Sequence, residues 1–222
     1  VTGGGDGKIA SSNDVLLQDG YGHVVHFTYE GEEVPSEYAS DPLLLELKWF
    51  DNAAAYYLPQ PGVFEALVRF ESGEFARLTR DGRQYWYSSG GALTSIYDRY
   101  PENALSFLYD ARGRLSRIVD EAGQPGETYG RYLDVGYYVA SGDPLFRSGI
   151  DEVTNDDTEI GQIARVQDGT GRDVLYTYTD GLLTSVEGID VTQAGPDGST
   201  GRAITEYVWS SCEDGGANGQ AI

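Results

Sequence analysis

The chain has 222 residues, enough for a substantial core in one or two domains, and its hydrophobic fraction of 40% is too high for a disordered protein. Its 17 Tyr, 30 Gly and 8 Pro favour a protein rich in strands and turns over a helical one. With 15 basic and 36 acidic residues, the net charge is −21, which makes nucleic acid and anionic membrane surfaces poor partners.

The first part of the chain predicts a lead-in followed by a hairpin. Residues 1–12 are rich in glycine and polar residues and predict a flexible lead-in to a single β-sheet domain over 13–210. Two apolar runs flank a glycine-containing turn within 14–29, which predicts a first β-hairpin. The apolar run 43–50 is compatible with a strand or a short helix. We expect a strand, because Pro42 precedes the run and Tyr56 and Tyr57 follow it.

Residues 63–98 predict a series of short hairpins, with turn signals at Gly73 and at Asp81-Gly82. We expect each strand to pair antiparallel with the next, as in a meander. An irregular insertion over about 121–160 interrupts the pattern, although 132–140 within it predicts one aromatic strand. A Gly-rich tail, 211–222, ends the chain.

The stretch 85–120 contains the same pattern twice: alternating aromatic residues, a turn with glycine, and a second alternating run. Matching positions lie 22 residues apart: Tyr87 and Tyr109, Gly91 and Gly113, Leu93 and Leu115, Ile96 and Ile118. A constant offset of this size indicates a repeat architecture. Gly161 and Gly181 are predicted to mark two further turns of the same kind. The expected fold class is therefore all-β, an antiparallel meander of repeated β-hairpins.

One unit is specific enough to suggest a family. Tyr109-Asp110, two variable residues and Gly113-Arg114-Leu115, closing with Ile118, resemble the YD repeat of the Rhs family. The other units are degenerate: Tyr87 is not followed by Asp, Gly91 is not followed by Arg, and Gly161 lacks the preceding Tyr-Asp pair.

This resemblance implies a long β-sheet that spirals into a hollow shell, as in bacterial Rhs proteins, insecticidal toxin-complex subunits and animal teneurins. In bacteria such a shell commonly encloses a toxin. The chain departs from the family in having too few units for a closed shell, no recognisable shell-closing autoproteolysis motif and no recognisable toxin domain. The resemblance implies a structural, encapsulating segment of a secreted or surface-exposed bacterial protein.

The residues that usually perform catalysis are scarce, so we expect no enzymatic activity, no catalytic residues and no bound cofactor. His23 and His26 are three residues apart and would lie on opposite faces of a strand, which disfavours a shared metal ion. Cys212 is the single cysteine, which excludes a disulfide within the chain. No apolar run of about 18 residues predicts a membrane span, so we expect no membrane insertion.

One acidic segment is a candidate Ca²⁺ site, because Ca²⁺ takes six to eight oxygen ligands. Its candidate ligands lie within nine residues: Asp151, Asn155, Asp156, Asp157 and Glu159. The spacing lacks the central glycine of an EF-hand loop, so an acidic surface loop is the alternative.

Two other functions are compatible with the sequence. The alternating aromatic residues of 85–120 could bind glycans or proteins in an adhesin. Trp86→Ala would then abolish glycan binding without unfolding the chain. A sheet with open edges could instead pair with flanking repeats or other chains through its edge strands.

Overall fold

The computed structural model describes residues 13–18, 22–47, 49–100, 103–121, 131–190, 201–210 and 220–221. The predicted lead-in, 1–12, and most of the predicted tail, 211–222, lie outside these ranges. The chain divides into two compact units, residues 1–106 and 107–222.

The first unit is an antiparallel meander in which each strand pairs with the next. Its strands are β1 (Val15–Gln18), β2 (Val24–Gly31), β3 (Ala55–Pro59), β4 (Glu65–Arg69), β5 (Phe75–Thr79), β6 (Gln84–Tyr87), β7 (Leu93–Tyr97) and the start of β8 (Ala104–Tyr109). The register places Tyr85 opposite Ile96 and Tyr87 opposite Leu93, with Trp86 on the other face. These are aromatic–aliphatic cross-strand pairs, which stabilise neighbouring strands.

One face of this sheet is covered by the segment between β2 and β3. Tyr38, Leu44 and Phe50 from that segment are buried against side chains of β3 to β5, including Tyr56 and Val68. The Tyr38 hydroxyl donates to the Tyr57 carbonyl at 2.6 Å, which satisfies its polar end inside the core.

The predicted strand over 43–50 is wrong. The residues form a short helix, α1 (Pro42–Leu45), followed by a 3-10 turn, Phe50–Asn52. The Asp41 carboxylate accepts a hydrogen bond from the Leu43 amide at 2.9 Å, and Pro42 is well placed at the first helical position. A helical turn lets closely spaced apolar residues of one segment point into the same core.

The other face of the sheet has its own core. Phe27, Tyr57 and Leu67 are almost completely buried there, and Val15 from β1 and Phe75 from β5 pack against the same cluster. The successive strands β1 to β5 thus contribute to one cluster on this face of the sheet.

The second unit is also an antiparallel meander with one addition. It contains the end of β8, then β9 (Leu115–Asp120), β10 (Tyr132–Ala140), β11 (Glu152–Thr154), β12 (Ile163–Asp168), β13 (Asp173–Thr179), β14 (Leu182–Glu187) and β15 (Ile204–Glu206). Two further strands, β16 (Trp209–Ser210) and β17 (Gln220–Ala221), pair with each other in a separate two-stranded sheet. The predicted strand 132–140 is confirmed. The all-β, antiparallel meander of hairpins is confirmed for both units.

The insertion is more regular than predicted. Strand β11 forms inside it and pairs parallel with the end of β10, with Tyr138 opposite Glu152 and Ala140 opposite Thr154. Strand β9 pairs with the beginning of β10, where Arg117 lies opposite Asp134. Pairing between residues this far apart in sequence leaves no periodic signal.

Candidate functional site

Five hairpin turns of the protein share one hydrogen-bond pattern, which we call the five-residue turn. They span residues 70–74, 79–83, 88–92, 110–114 and 168–172. In each, the amide of the first residue donates to the carbonyl of the fifth, and the glycine amide at the fourth position donates to the carbonyl of the first, at 2.8–3.0 Å. The glycines have φ between 78° and 87°, a left-handed conformation that favours glycine after a type I turn.

Asp110 and Arg114 reinforce one of these turns. One carboxylate oxygen of Asp110 accepts from the amides of Arg112 and Arg114, both at 2.9 Å, and the other accepts from the Arg114 guanidinium at 2.8 Å. Burial opposes ionisation of Asp110, but the Arg114 hydrogen bonds outweigh it and hold the carboxyl pKa below its usual value. Asp110 and Arg114 are therefore engaged with the backbone of their own turn.

The turn at 168–172 repeats this arrangement and was not predicted from the sequence. Asp168 accepts from the amides of Thr170 and Arg172, at 2.9 and 3.1 Å, and from the Arg172 guanidinium at 2.8 Å. The Thr170 hydroxyl, together with Arg172, holds the Asp168 pKa well below its usual value. The sequence pattern Asp-x-x-Gly-Arg identifies both turns, whereas a constant spacing of 22 residues does not lead from 110–114 to 168–172.

The predicted repeat residues take different places. Gly91 and Gly113 occupy the glycine position of five-residue turns. Gly181 forms a tighter turn with Asp180, and the φ values are 77° for Gly181 and 53° for Asp180. Leu115 and Ile118 lie in β9, and Tyr109 ends β8 with 36% of its surface exposed.

Gly161 does not mark a hairpin of this kind, which corrects the prediction. Its φ of 91° is left-handed, but its amide donates to the Tyr138 carbonyl at 2.8 Å. The strand before it, β11, pairs with β10 and not with β12. Gly161 therefore ends the insertion and leads the chain into β12.

Arginine–carboxylate pairs also connect neighbouring strands. Arg117 donates to both carboxylate oxygens of Asp134, at 2.6 and 2.8 Å, and its guanidinium lies 4.2 Å from the Tyr132 ring centroid. In the first unit, Arg77 donates to both oxygens of Glu65 across β4 and β5. Two-point pairs of this kind fix the relative position of the strands.

A β-bulge between β10 and β12 lies next to the insertion. The register shifts between Gly136 and Tyr137 and leaves Ala164 of β12 as the extra residue. Between the pairing of β10 with β9 and its pairing with β11, Asp151 accepts from the Tyr137 amide at 3.0 Å, and Arg147 donates to the carbonyl of Val135 and to Asp151. The Asp151 side chain is completely buried, so this pair takes the place of ladder bonds along that part of β10.

The five candidate Ca²⁺ ligands differ in their hydrogen bonds and exposure. Asp151 already accepts hydrogen bonds from Arg147 and from the Tyr137 amide, so its carboxylate is directed into the sheet. Asp156 accepts from the amide and hydroxyl of Thr158, and Glu159 accepts from the Thr154 hydroxyl at 2.8 Å. Asn155 and Asp157 are exposed.

The described residues hold no group of three or more His, Cys, Asp or Glu that could bind a metal ion. Ca²⁺ binding stays a prediction, which calorimetric titration tests.

Trp86 belongs to a ring cluster. It stacks on Phe70 with ring centroids 5.3 Å apart, and it makes edge contacts with Trp49 at 5.4 Å and Tyr97 at 6.5 Å. Trp49 in turn packs against the buried Phe50. The Trp86 ring is thus a packing element between the covering segment and the sheet.

The first unit also has an open groove of about 590 Å³. Its floor is formed by Leu44, Leu58, Ala66 and Leu78, and the turn between β3 and β4 forms one wall. Phe64 in that turn is 69% exposed, and the guanidinium carbon of Arg80 lies 5.3 Å from its ring centroid.

No protein-family model matches the chain, and no curated protein matches it. Within the described residues, no helix has the length and apolar character that a bilayer span requires.

Proposed function

We propose that the chain is a non-catalytic structural segment of a YD-repeat-like β-sheet. By resemblance, it would form part of a toxin-enclosing shell in a secreted or surface-exposed bacterial protein. The observation that carries the proposal is the Asp-x-x-Gly-Arg turn, which recurs at 110–114 and 168–172 with the same hydrogen bonds. A repeated motif whose Asp carboxylate binds the amides of its own turn and the Arg guanidinium is typical of a structural repeat.

The ion pairs within the sheet support the non-catalytic part of the proposal. Glu65 is held by Arg77, Asp134 by Arg117, and Asp151 by Arg147. A general acid or base needs a carboxyl group that can reach a substrate, with a pKa near the working pH. These carboxylates are instead joined to arginines.

The complete reading frame on both sides of this segment tests the shell proposal. We expect many further Asp-x-x-Gly-Arg turns at hairpin spacing and a toxin-like domain at the far end. A reading frame that stops after Ile222 and adds no repeats before Val1 would contradict the shell.

Truncation of Trp86 separates the structural function from the glycan-binding alternative. We expect Trp86→Ala to lower the free energy of unfolding by about 3 kcal/mol, because the change leaves a cavity beside Phe70 and Trp49. Tyr100, which is 59% exposed, provides the control: Tyr100→Ala should change stability by less than about 0.5 kcal/mol. Urea unfolding followed by circular dichroism measures both. A folded Trp86→Ala variant that loses glycan binding would favour the adhesin.

The sheet edges are the proposed contacts with flanking repeats or other chains. All three residues of β15 are exposed, including Ile204 at 59%, and Leu16 in β1 is 69% exposed. An exposed edge strand offers free amide and carbonyl groups to another strand. We expect concentration-dependent association in analytical ultracentrifugation. Glu206→Pro should weaken it, because the Glu206 amide points away from β14, whereas the Thr205 amide faces β14. A chain that remains monomeric at high concentration would remove the support for assembly through edges.

A further inference from the structure

The groove of the first unit combines an apolar floor with a charged rim. Leu44, Leu58, Ala66 and Leu78 form the floor, and the segment before α1 contributes Glu37 and Asp41 to the rim. The volume, about 590 Å³, is in the range of sites that enclose a small ligand or a few residues of a peptide.

We propose that this groove binds a short extended peptide in which apolar side chains flank a lysine or arginine. The apolar side chains would lie on the floor and against Phe64, and the basic side chain would reach Glu37 and Asp41. This is a binding function in addition to the proposed structural one, and it does not depend on a shell.

The charge distribution favours a basic partner. The whole chain has a net charge of −21, and many of its arginines are already paired with carboxylates, as Arg77 is with Glu65 and Arg114 with Asp110. The charge left for an incoming partner is therefore mainly negative, which raises the local concentration of cations and repels anions. Glu37 is exposed, and its carboxylate accepts a hydrogen bond from the hydroxyl of the neighbouring Ser36. This carboxylate is accessible from solvent.

The exposed aromatic side chain adds the second part of the recognition. Phe64 exposes 69% of its surface although it borders an apolar floor, so a bound apolar side chain would remove area from water on both sides. Arg80, whose guanidinium lies over the Phe64 ring, can donate hydrogen bonds to peptide carbonyl groups. A peptide offers apolar side chains, a cation and carbonyl groups together, which a simple cation or a hydrocarbon does not.

Titration of the isotope-labelled full chain with acetyl-Leu-Lys-Leu-amide, followed by NMR, tests the proposal. We expect saturable shift changes at amides of the groove, including those of Leu44, Ala66 and Leu78. Acetyl-Leu-Glu-Leu-amide should not saturate. Glu37→Gln should weaken binding of the lysine peptide about fivefold, as expected for one exposed ion pair, and Phe64→Ala should weaken it by at least as much.

The matched control is Glu71→Gln, which removes the same charge from an exposed turn outside the groove and should leave binding unchanged. Three results would overturn the proposal. They are equal weakening by Glu71→Gln and Glu37→Gln, equal binding of the glutamate peptide, and saturation by cellotriose without saturation by the lysine peptide. The amide spectrum of each variant reports directly whether that variant remains folded.

Discussion

Replacing Gly136 by alanine should lower the free energy of unfolding by about 3 kcal/mol or more, because the added methyl group has no space. A Cβ atom at this position would lie 2.0 Å from the carbonyl oxygen of Ile150 and 2.7 Å from its carbonyl carbon. Both are backbone atoms, which cannot rotate away as the end of a side chain can. The insertion would have to leave the sheet, and the bonds of Asp151 to the bulge would break with it.

Gly90→Ala is the matched control, since the nearest atom to a Cβ there is the Ser88 hydroxyl oxygen at 3.8 Å. Gly90 is also outside the left-handed region, so the same chemical change should cost less than about 0.5 kcal/mol. Urea unfolding of both variants measures the difference. If Gly136→Ala were as stable as Gly90→Ala, the close contact between Ile150 and β10 would be wrong.

Replacing Asp151 by alanine should cost about 3 kcal/mol, because one partner of a buried ion pair would be removed. The Tyr137 amide would lose its acceptor, and the Arg147 guanidinium would lose its carboxylate partner and keep only backbone carbonyls as acceptors. Asp81→Ala, which removes an ion pair whose side chains are more than half exposed, should cost less than about 1 kcal/mol. Comparable losses from the two changes would contradict a structural function of the Arg147–Asp151 pair.

The stabilising effect of Asp151 should also depend on pH. Burial raises the pKa of this carboxyl, but the hydrogen bonds from Arg147 and from the Tyr137 amide outweigh burial and hold the pKa below its usual value. A carboxyl whose pKa is lower in the folded state stabilises the protein above the unfolded-state pKa of about 3.9, and this contribution is lost as the pH falls through the folded-state pKa.

The stability difference between the native chain and Asp151→Asn should therefore be largest near neutral pH and should narrow below a pH of about 4. Urea unfolding at several pH values measures it, since urea carries no charge and does not screen ion pairs. The native chain and the variant share almost the same excess of negative charge, so most of the general repulsion cancels in the comparison. A difference that stays constant from neutral to strongly acidic pH would show that the charge of Asp151 is not what stabilises the bulge.

The hairpins and their turns could be predicted from the sequence, because their signals are local. Alternation of apolar residues sets the strands, and Gly73, Gly91 and Gly113 mark turns whose bonds close within five residues. The Asp110–Arg114 pair belongs to the same local motif. The turn at 168–172 was predictable too, and a constant repeat length was the wrong guide to it, because the insertion changes the spacing.

The candidate sites were less predictable, because each depends on residues that meet only after folding. Asp151 looked like a possible Ca²⁺ ligand in an acidic run, whereas its carboxylate binds the Tyr137 amide at the bulge. Trp86 looked like an exposed platform, whereas Trp49 from the covering segment packs against it. The groove joins that segment to the ends of three strands, and no sequence pattern connects them.

By itself, then, the sequence determined an acidic, all-β chain of antiparallel hairpins, since strand alternation and turn chemistry act over a few neighbouring residues. Only the tertiary structure decided that 43–50 is helical, that β11 pairs parallel with β10, and that Arg147 and Asp151 replace the ladder at the bulge. The physical reason is burial. A segment of ambiguous propensity takes the conformation that fills the core it meets, and a buried polar group takes the partner that folding brings within hydrogen-bond distance.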